Sequence, residues 1–78
     1  MKLIFWELVL DQIWNERRMR VVAEPVPMPQ GQPETWQQLN ARFFLDDDRE
    51  LELVGGDRKR GQFKVIGTDE IFVLQHRP

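Results

Sequence analysis

The amino-acid sequence predicts a small, mainly β protein, an antiparallel meander or barrel-like sheet of about five or six strands. The first observation is a series of short apolar-alternating runs in the C-terminal half, separated from one another by Gly- and Asp-rich turn residues. The second is the abundance of aromatic and β-branched residues near the N-terminus, which favours strands. Because the chain has only 78 residues, we expect a single small domain over residues 1–78.

The N-terminal part of this domain, residues 1–26, is predicted to form a β-hairpin. With a period of two, one face of the first strand collects Ile4, Trp6, Leu8, Leu10 and Trp14. A turn at 15–18 would bring Met19, Val21 and Ala23 opposite this face. The alternative is an α+β fold with an amphipathic helix over about residues 5–18. We prefer the hairpin because the helix would place Leu8 on its polar side and would lack an N-cap residue.

A Pro-rich connector over residues 27–40 separates the hairpin from the rest of the sheet. Prolines occupy every second position from Pro25 to Pro29. Because proline has no amide hydrogen to donate, this segment cannot form a central strand. Pro33 lies close to the expected start of a short helix near residues 34–40.

Residues 41–78 are predicted to form an antiparallel β-meander. Its strands are expected at 41–45, 49–54, 62–66 and 70–75. Alternation places one apolar set on a common face: Phe43, Leu45, Leu51, Leu53, Phe63, Val65, Phe72 and Leu74. On the other face, Glu52 is expected beside Lys64, an opposite-charge pair.

The register of the meander follows from the same pattern. We expect Leu53 to lie opposite Phe43 in the preceding strand and opposite Phe63 in the following strand. Phe63 is in turn expected to face Leu74 in the last strand. A shift of one residue in any of these pairs would turn the apolar set of that strand outward.

The composition argues against catalysis and against metal binding. The chain contains no Ser, Cys or Tyr, and its only His is His76. The missing side chains are the common nucleophiles, soft metal ligands and tunable bases of enzymes. The acidic run at 46–48 lacks the ligand spacing of a calcium loop and is interpreted as a hairpin turn. We therefore expect a protein that is not an enzyme and that uses no cofactor or metal.

The charge balance and the N-terminal residues bear on location and partners. The net charge is −2, from 13 acidic and 11 basic residues, whereas a nucleic-acid-binding surface is usually basic. The N-terminal apolar run is interrupted by Glu7 and Asp11, so we expect no signal peptide, no membrane contact and a cytoplasmic location. A core this small keeps association into a homo-oligomer open.

Two basic groups and one Trp are the candidate partner-binding residues. They are Arg17, Arg18, Arg20, Arg58, Lys59, Arg60 and Trp36. Glycines flank the second basic group and predict a projecting loop. Trp36 follows the prolines in a polar segment, and we expect it to be an exposed anchor. The alternative for each basic group is a solvated turn, and for Trp36 it is a plug at the open end of the sheet.

These features lead to two hypotheses about function. The leading one is a non-enzymatic interaction module, an accessory, regulatory or inhibitory protein that binds another protein through a sheet edge or face. The alternative is a small nucleic-acid-binding β-barrel that uses its two Arg-rich loops. This alternative requires the two loops to converge on one face with an exposed aromatic residue between them.

Overall fold

The fold is a closed antiparallel β-barrel, seen in a computed structural model that describes residues 2–25 and 36–75. In chain order the strands are β1 (Leu3–Leu10), β2 (Glu16–Ala23), β3 (Ala41–Leu45), β4 (Glu50–Gly55), β5 (Gln62–Val65) and β6 (Ile71–Leu74). A single helical turn, α1 (Trp36–Leu39), precedes β3. Each strand pairs with the next, and β6 pairs with β1. The predicted mainly β meander is confirmed, while connector residues 27–35 and His76 lie outside the described residues.

The core of the barrel is made of apolar side chains. The buried ones are Val9, Met19, Val21, Ala23, Trp36, Leu39, Phe43, Leu45, Leu51, Phe63, Val65, Phe72 and Leu74. The predicted meander face belongs to this core, with Leu53 partly buried and packed against it. On the outer face, the Lys64 Nζ lies 3.5 Å from the Glu52 Oε1, as predicted. This face was predictable because apolar residues recur at every second position of β3 to β6, the period at which side chains of a strand return to one face.

The register of the meander is confirmed between β4 and β5 and differs on both sides. Leu53 lies opposite Phe63, as predicted. Phe43 lies opposite Leu51, and Phe63 lies opposite Phe72, so both predicted partners were wrong. The observed pairs are shifted by an even number of residues, and such a shift keeps every side chain on its face.

Tight turns account for the shifted registers. In the β3–β4 turn the Leu45 N–H donates to the Arg49 carbonyl at 2.8 Å, and Asp48 has a φ of 70°. In the β5–β6 turn Gly67 has a φ of 85°. A residue in this left-handed region reverses the chain within a short loop. Hydrogen bonding between the strands therefore continues closer to each turn than predicted, with Leu45 bonded to Arg49 and Val65 bonded to Glu70.

β1 and β2 form the predicted hairpin, and the alternative N-terminal helix is wrong. The inward face of β1, however, is opposite to the prediction. Ile4 and Trp6 point outward and are 62% and 54% exposed. Val9 is buried instead, and Phe5 packs against the core. The predicted alternation along β1 was correct, but the face predicted to be inward is the outward one. The pattern could not distinguish the two because both faces of β1 carry apolar residues.

The turn of this hairpin also lies earlier than predicted. The Asp11 carboxylate accepts hydrogen bonds from the amides of Ile13 and Asn15, at 2.9 and 2.8 Å. An Asp that bonds the backbone ahead of it is a common turn former, and here it ends the first strand. Met19 consequently lies opposite Glu7. The predicted pairing would instead have placed Met19 opposite a residue that belongs to the observed turn.

Replacement of Val65 by Ala is predicted to lower the free energy of unfolding by roughly 2 kcal/mol, because the removed methyl groups are buried and leave a cavity. Val54→Ala is the matched control, since Val54 lies on the neighbouring strand with 47% of its surface exposed. We expect the control to change stability by about 0.5 kcal/mol or less. Urea unfolding measures both variants, and equal losses would contradict the assigned inner face.

Candidate functional site

The barrel closes through a short contact between its first and last strands. β1 and β6 pair at two positions, Val9–Leu74 and Leu10–Val73. One further bond runs from the Gln75 N–H to the Leu8 carbonyl at 2.9 Å. β1 continues past this point over residues 3–7, and within the described ranges no backbone group bonds to its free side. We call residues 3–7, on the side away from β2, the open edge.

Two residues direct their backbone polar groups toward the open edge. Alternate residues of an antiparallel strand present N–H and C=O to the same neighbouring strand. Since the Leu8 carbonyl faces β6, the N–H and C=O of Trp6 and Ile4 face that side as well. Among the described residues these groups have no backbone partner, and a strand edge of this kind is a template for another strand.

The outward face of β1 is apolar along its length. It is formed by Ile4, Trp6, Leu8 and Leu10, which we call the apolar stripe. Across the strand pair, Val22 lies opposite Ile4 and Arg20 lies opposite Trp6. Contiguous exposed apolar surface is a common feature of macromolecular contact sites. The open edge and the most exposed part of the stripe lie on the same segment of the chain.

Trp36, the predicted exposed anchor, is buried. Its side chain is 3% exposed, so the prediction of exposure is wrong. The indole packs edge-on against the rings of Phe43 and Phe63, with centroid distances of 5.3 and 5.5 Å. Its Nε1 donates to the Asp57 carbonyl at 3.1 Å. The alternative interpretation, a plug for the sheet, describes these contacts, because a Trp buries a large apolar area and still needs a partner for its N–H.

Arg58 covers the Trp36 plug and connects the β4–β5 loop to β1. The Arg58 Cζ lies 4.1 Å from the centroid of the Trp36 ring and 5.8 Å from that of the Phe5 ring. Its Nη1 lies 4.0 Å from the Glu7 Oε1. A guanidinium stacked on an aromatic face contributes about 0.5–2 kcal/mol, depending on its exposure. The contacts of Arg58 are therefore largely internal to the fold.

The β4–β5 loop also presents Lys59 and Arg60. The Asp57 carboxylate accepts hydrogen bonds from the amides of Arg60 and Lys59, at 2.8 and 2.9 Å. These bonds hold the pKa of Asp57 below its usual range. Both cationic side chains are exposed, and neither forms an ion pair with the residues that the structure describes. The loop thus holds its two outer cations on an ordered backbone.

The other basic group lies at the far end of β4 from this loop. The Arg17 Nε donates to the Asp46 Oδ2 at 2.9 Å, and the Arg20 Nη1 lies 3.3 Å from the Asp48 Oδ1. Arg18 is exposed. β4 separates this acidic β3–β4 turn from the β4–β5 loop. The convergence of two basic loops, which the nucleic-acid hypothesis requires, is not observed.

The acidic turn at 46–48 belongs to a network of surface ion pairs. Arg49 contacts Asp47 at 2.8 Å and Glu70 at 2.7 Å, so it connects two turns of the meander. The hydrogen bonds from Arg17 hold the pKa of Asp46 below its usual range. In the described part of the chain, no group of three or more His, Cys, Asp or Glu is arranged to hold a metal ion.

The apolar stripe is the part of the site that the sequence pattern assigns to the wrong side. The available signal was the run Leu3-Ile4-Phe5-Trp6, which is apolar at consecutive positions. A strand of a single-layer antiparallel sheet has one face toward the core, so its other face is normally polar. Consecutive apolar residues in such a strand do not determine which of its two faces points inward.

No protein-family model, curated protein or solved structure matches this chain. Within residues 2–25 and 36–75, no helix combines the length and apolar character needed to cross a membrane. The fold itself defines the class, which is a small six-stranded antiparallel meander barrel. Its first strand extends beyond the closure of the barrel.

The Arg17–Asp46 pair predicts a pH-dependent stability. Because the pKa of Asp46 is lower in the folded protein than in the unfolded chain, the stabilisation is present above about pH 4 and is lost as the pH falls through the folded-state pKa. Asp46→Asn is expected to lower the free energy of unfolding at neutral pH by about 0.2–1 kcal/mol, the range of exposed ion pairs. Its effect should shrink in strong acid.

Urea unfolding at neutral pH and in strong acid measures this dependence. Asp69→Asn is the matched control, because Asp69 is exposed and forms no ion pair with the described residues. At neutral pH we expect the control to change the free energy of unfolding by about 0.5 kcal/mol or less. An Asp46→Asn effect that does not change with pH would contradict the assigned pair.

Proposed function

We propose that this protein is a non-enzymatic interaction module that binds another protein through β1, in an accessory, regulatory or inhibitory role. The observation that carries the proposal is the coincidence of the open edge and the apolar stripe on one strand. The edge offers backbone hydrogen bonds and the stripe offers apolar surface. A protein partner that covers β1 gains from both, as in other cases of β-strand addition.

The residues around the stripe support a protein partner. Trp6 and its cross-strand neighbour Arg20 are of the types that dominate the binding energy of protein interfaces. The Arg20 Cζ lies 5.0 Å from the centroid of the Phe44 ring, so this side chain is already held in place. Preordered side chains lose less conformational entropy on binding.

Two further observations bear on the other classes of function. The absence of Ser, Cys and Tyr from the sequence favours a role without catalysis. Nucleic-acid binding through the two Arg-rich loops is the alternative, and it is disfavoured because the loops lie at opposite ends of β4. A second copy of the chain is another occupant of the stripe, which the experiment below distinguishes from a different protein.

Replacement of Ile4 and Trp6 together by Thr tests the proposal. Thr keeps a high strand propensity while it removes the apolar surface. We expect the immobilised variant to retain a specific host protein at least about tenfold less than the unmodified protein does, the loss caused by about 1.4 kcal/mol. The free energy of unfolding should change little, because both side chains are largely exposed.

The matched control is the double variant Val54→Thr and Ile66→Thr, which alters two exposed apolar residues on other parts of the barrel. Equal losses in both double variants would indicate unspecific apolar adsorption and would contradict the proposal. A loss of retention after nuclease treatment would favour the nucleic-acid alternative. Sedimentation of a concentration-dependent dimer that the Ile4 and Trp6 variant abolishes would assign the stripe to self-association.

A further inference from the structure

The turn of the β1–β2 hairpin, residues 11–15, exposes two large apolar side chains next to each other, and we call it the hairpin tip. Ile13 and Trp14 are 74% and 75% exposed, and neither belongs to the core. Their backbone is nevertheless ordered. The Asp11 N–H donates to the Asn15 carbonyl at 3.0 Å, and the Trp14 N–H donates to the Asp11 carbonyl at 3.1 Å. The two side chains are therefore presented to solvent from a fixed turn.

Trp14 is an unfavourable residue for its own backbone conformation. Its φ is 66°, in the left-handed region where bulky side chains are disfavoured and where hairpin turns usually place Gly. The other non-Gly residues of the described chain in this region are Asn40 and Asp48, whose types adopt it more readily. Trp14 thus favours neither the turn nor the core. The stability of the fold does not explain why an indole lies at this position.

The parts of the chain outside the described ranges join the barrel away from the hairpin tip. β2 leads from the tip toward Pro25, and β6 leads away from the tip toward Gln75. Residues 26–35 have to return from Pro25 to Trp36, so they reach at most about 20 Å from these two residues. β2 alone is about 24 Å long. The connector is therefore too short to cover Ile13 and Trp14.

A cleft of about 230 Å³ lies beside Ile13. Its apolar lining includes Ile13, Ile71 and Phe72, and its charged lining consists of Asp11, Arg17, Arg49 and Glu70. Both arginines already have partners, since the Arg17 Nε donates to the Asp46 Oδ2 at 2.9 Å and the Arg49 Nη1 lies 2.7 Å from the Glu70 Oε2. Asp11 forms no ion pair with a described residue. The cleft therefore combines an apolar lining with an unpaired carboxylate.

The end of the barrel around the hairpin tip carries a surplus of negative charge. Ion pairs of Arg17 and Arg49 connect the tip to the turns at 46–49 and 66–70. Together with residues 11–18, these turns contain seven carboxylates and three arginines, a net charge of −4. The members of this set without an ion pair to a described residue are Asp11, Glu16, Asp69 and Arg18. Electrostatic complementarity favours a cationic partner here, and disfavours anionic lipid or a second copy that meets this end with its own.

We propose that the hairpin tip is a second contact surface of this protein, and that it binds a basic segment of a partner protein. Ile13 and Trp14 pack against the segment. One of its Lys or Arg side chains enters the cleft, with its aliphatic stem on Ile71 and its charged group at the Asp11 Oδ2. That oxygen is available, since the Ile13 and Asn15 amides both donate to Oδ1. The surface is separate from the open edge and from the apolar stripe, so this inference goes beyond the proposed function.

A pair of synthetic peptides tests the charge preference. One alternates Lys and Leu over about nine residues, and the other carries Glu in place of Lys. We expect the Lys peptide to bind at least about tenfold more tightly, and to shift the NMR signals of the Ile13 amide and the Trp14 indole N–H. Asp11→Asn keeps the side-chain oxygen that forms the turn, and should weaken binding of the Lys peptide by about threefold. Asp57→Asn is the matched control, because Asp57 also accepts two loop amides but lies at the opposite end, and it should leave the affinity unchanged.

Substitutions at Trp14 separate binding from stability. Trp14→Gly removes the exposed indole and relieves its backbone conformation, so we expect an unchanged or higher midpoint of urea unfolding together with at least about tenfold weaker binding of the Lys peptide. Trp14→Phe keeps an aromatic ring and should bind within about threefold of the unmodified protein. A midpoint that falls in Trp14→Gly would assign the indole a structural role and contradict the inference.

The remaining outcomes also decide the matter. Equal affinity for the two peptides, no binding of either, or full binding by Trp14→Gly would overturn the basic partner. Adsorption to vesicles of phosphatidylcholine and phosphatidylserine that Trp14→Gly abolishes would assign the hairpin tip to a membrane surface and overturn it as well. A concentration-dependent dimer that Trp14→Gly abolishes would assign the tip to self-association, with the same consequence. None of these results bears on the contact proposed for the apolar stripe, which contains no residue of the tip.

Discussion

The closure of β1 on β6 is the constraint on which the rest of this structure depends. β1 has eight residues, whereas β6 has four, and the two strands pair at only two positions. Beyond the closure, residues 3–7 of β1 pair with β2 alone among the described residues. Phe5 of this segment still packs against the core, while Ile4 and Trp6 point outward.

At the same end of the barrel the pairing of β3 with β4 is also short, and aromatic side chains fill the interior there. β3 and β4 also pair at only two positions, Phe43–Leu51 and Phe44–Glu50. Above these pairs the interior is occupied by Trp36, whose ring contacts two phenylalanine rings of the core. Gly61 is required beside it, because a Cβ there would lie 2.9 Å from the Trp36 Nε1. Arg58 then covers the indole, so this end is sealed by stacking and not by strand pairing.

The two ends of the barrel also differ in electrostatics, although the net charge is only −2. At one end the acidic turn pairs with arginines of β2, so its charges are compensated within the fold. At the other end Lys59 and Arg60 extend from an ordered loop without a carboxylate partner among the described residues. The acidic turn is therefore compensated within the fold, whereas the opposite end of the barrel carries outer cations next to a cleft that Trp6 and Leu8 also line.

The sequence by itself determined the strands, the C-terminal core and one surface ion pair. In β3 to β6 every second residue is apolar and points inward, as predicted, and Glu52 falls beside Lys64. In β1 both faces are apolar, and only the pairing with β2 and β6 decided that Val9 is inside and Trp6 outside. The burial of Trp36 was likewise decided by rings distant in the chain. A local pattern specifies that every second side chain of a strand points inward. Where both faces of the strand are equally apolar, long-range contacts decide which face is the inner one.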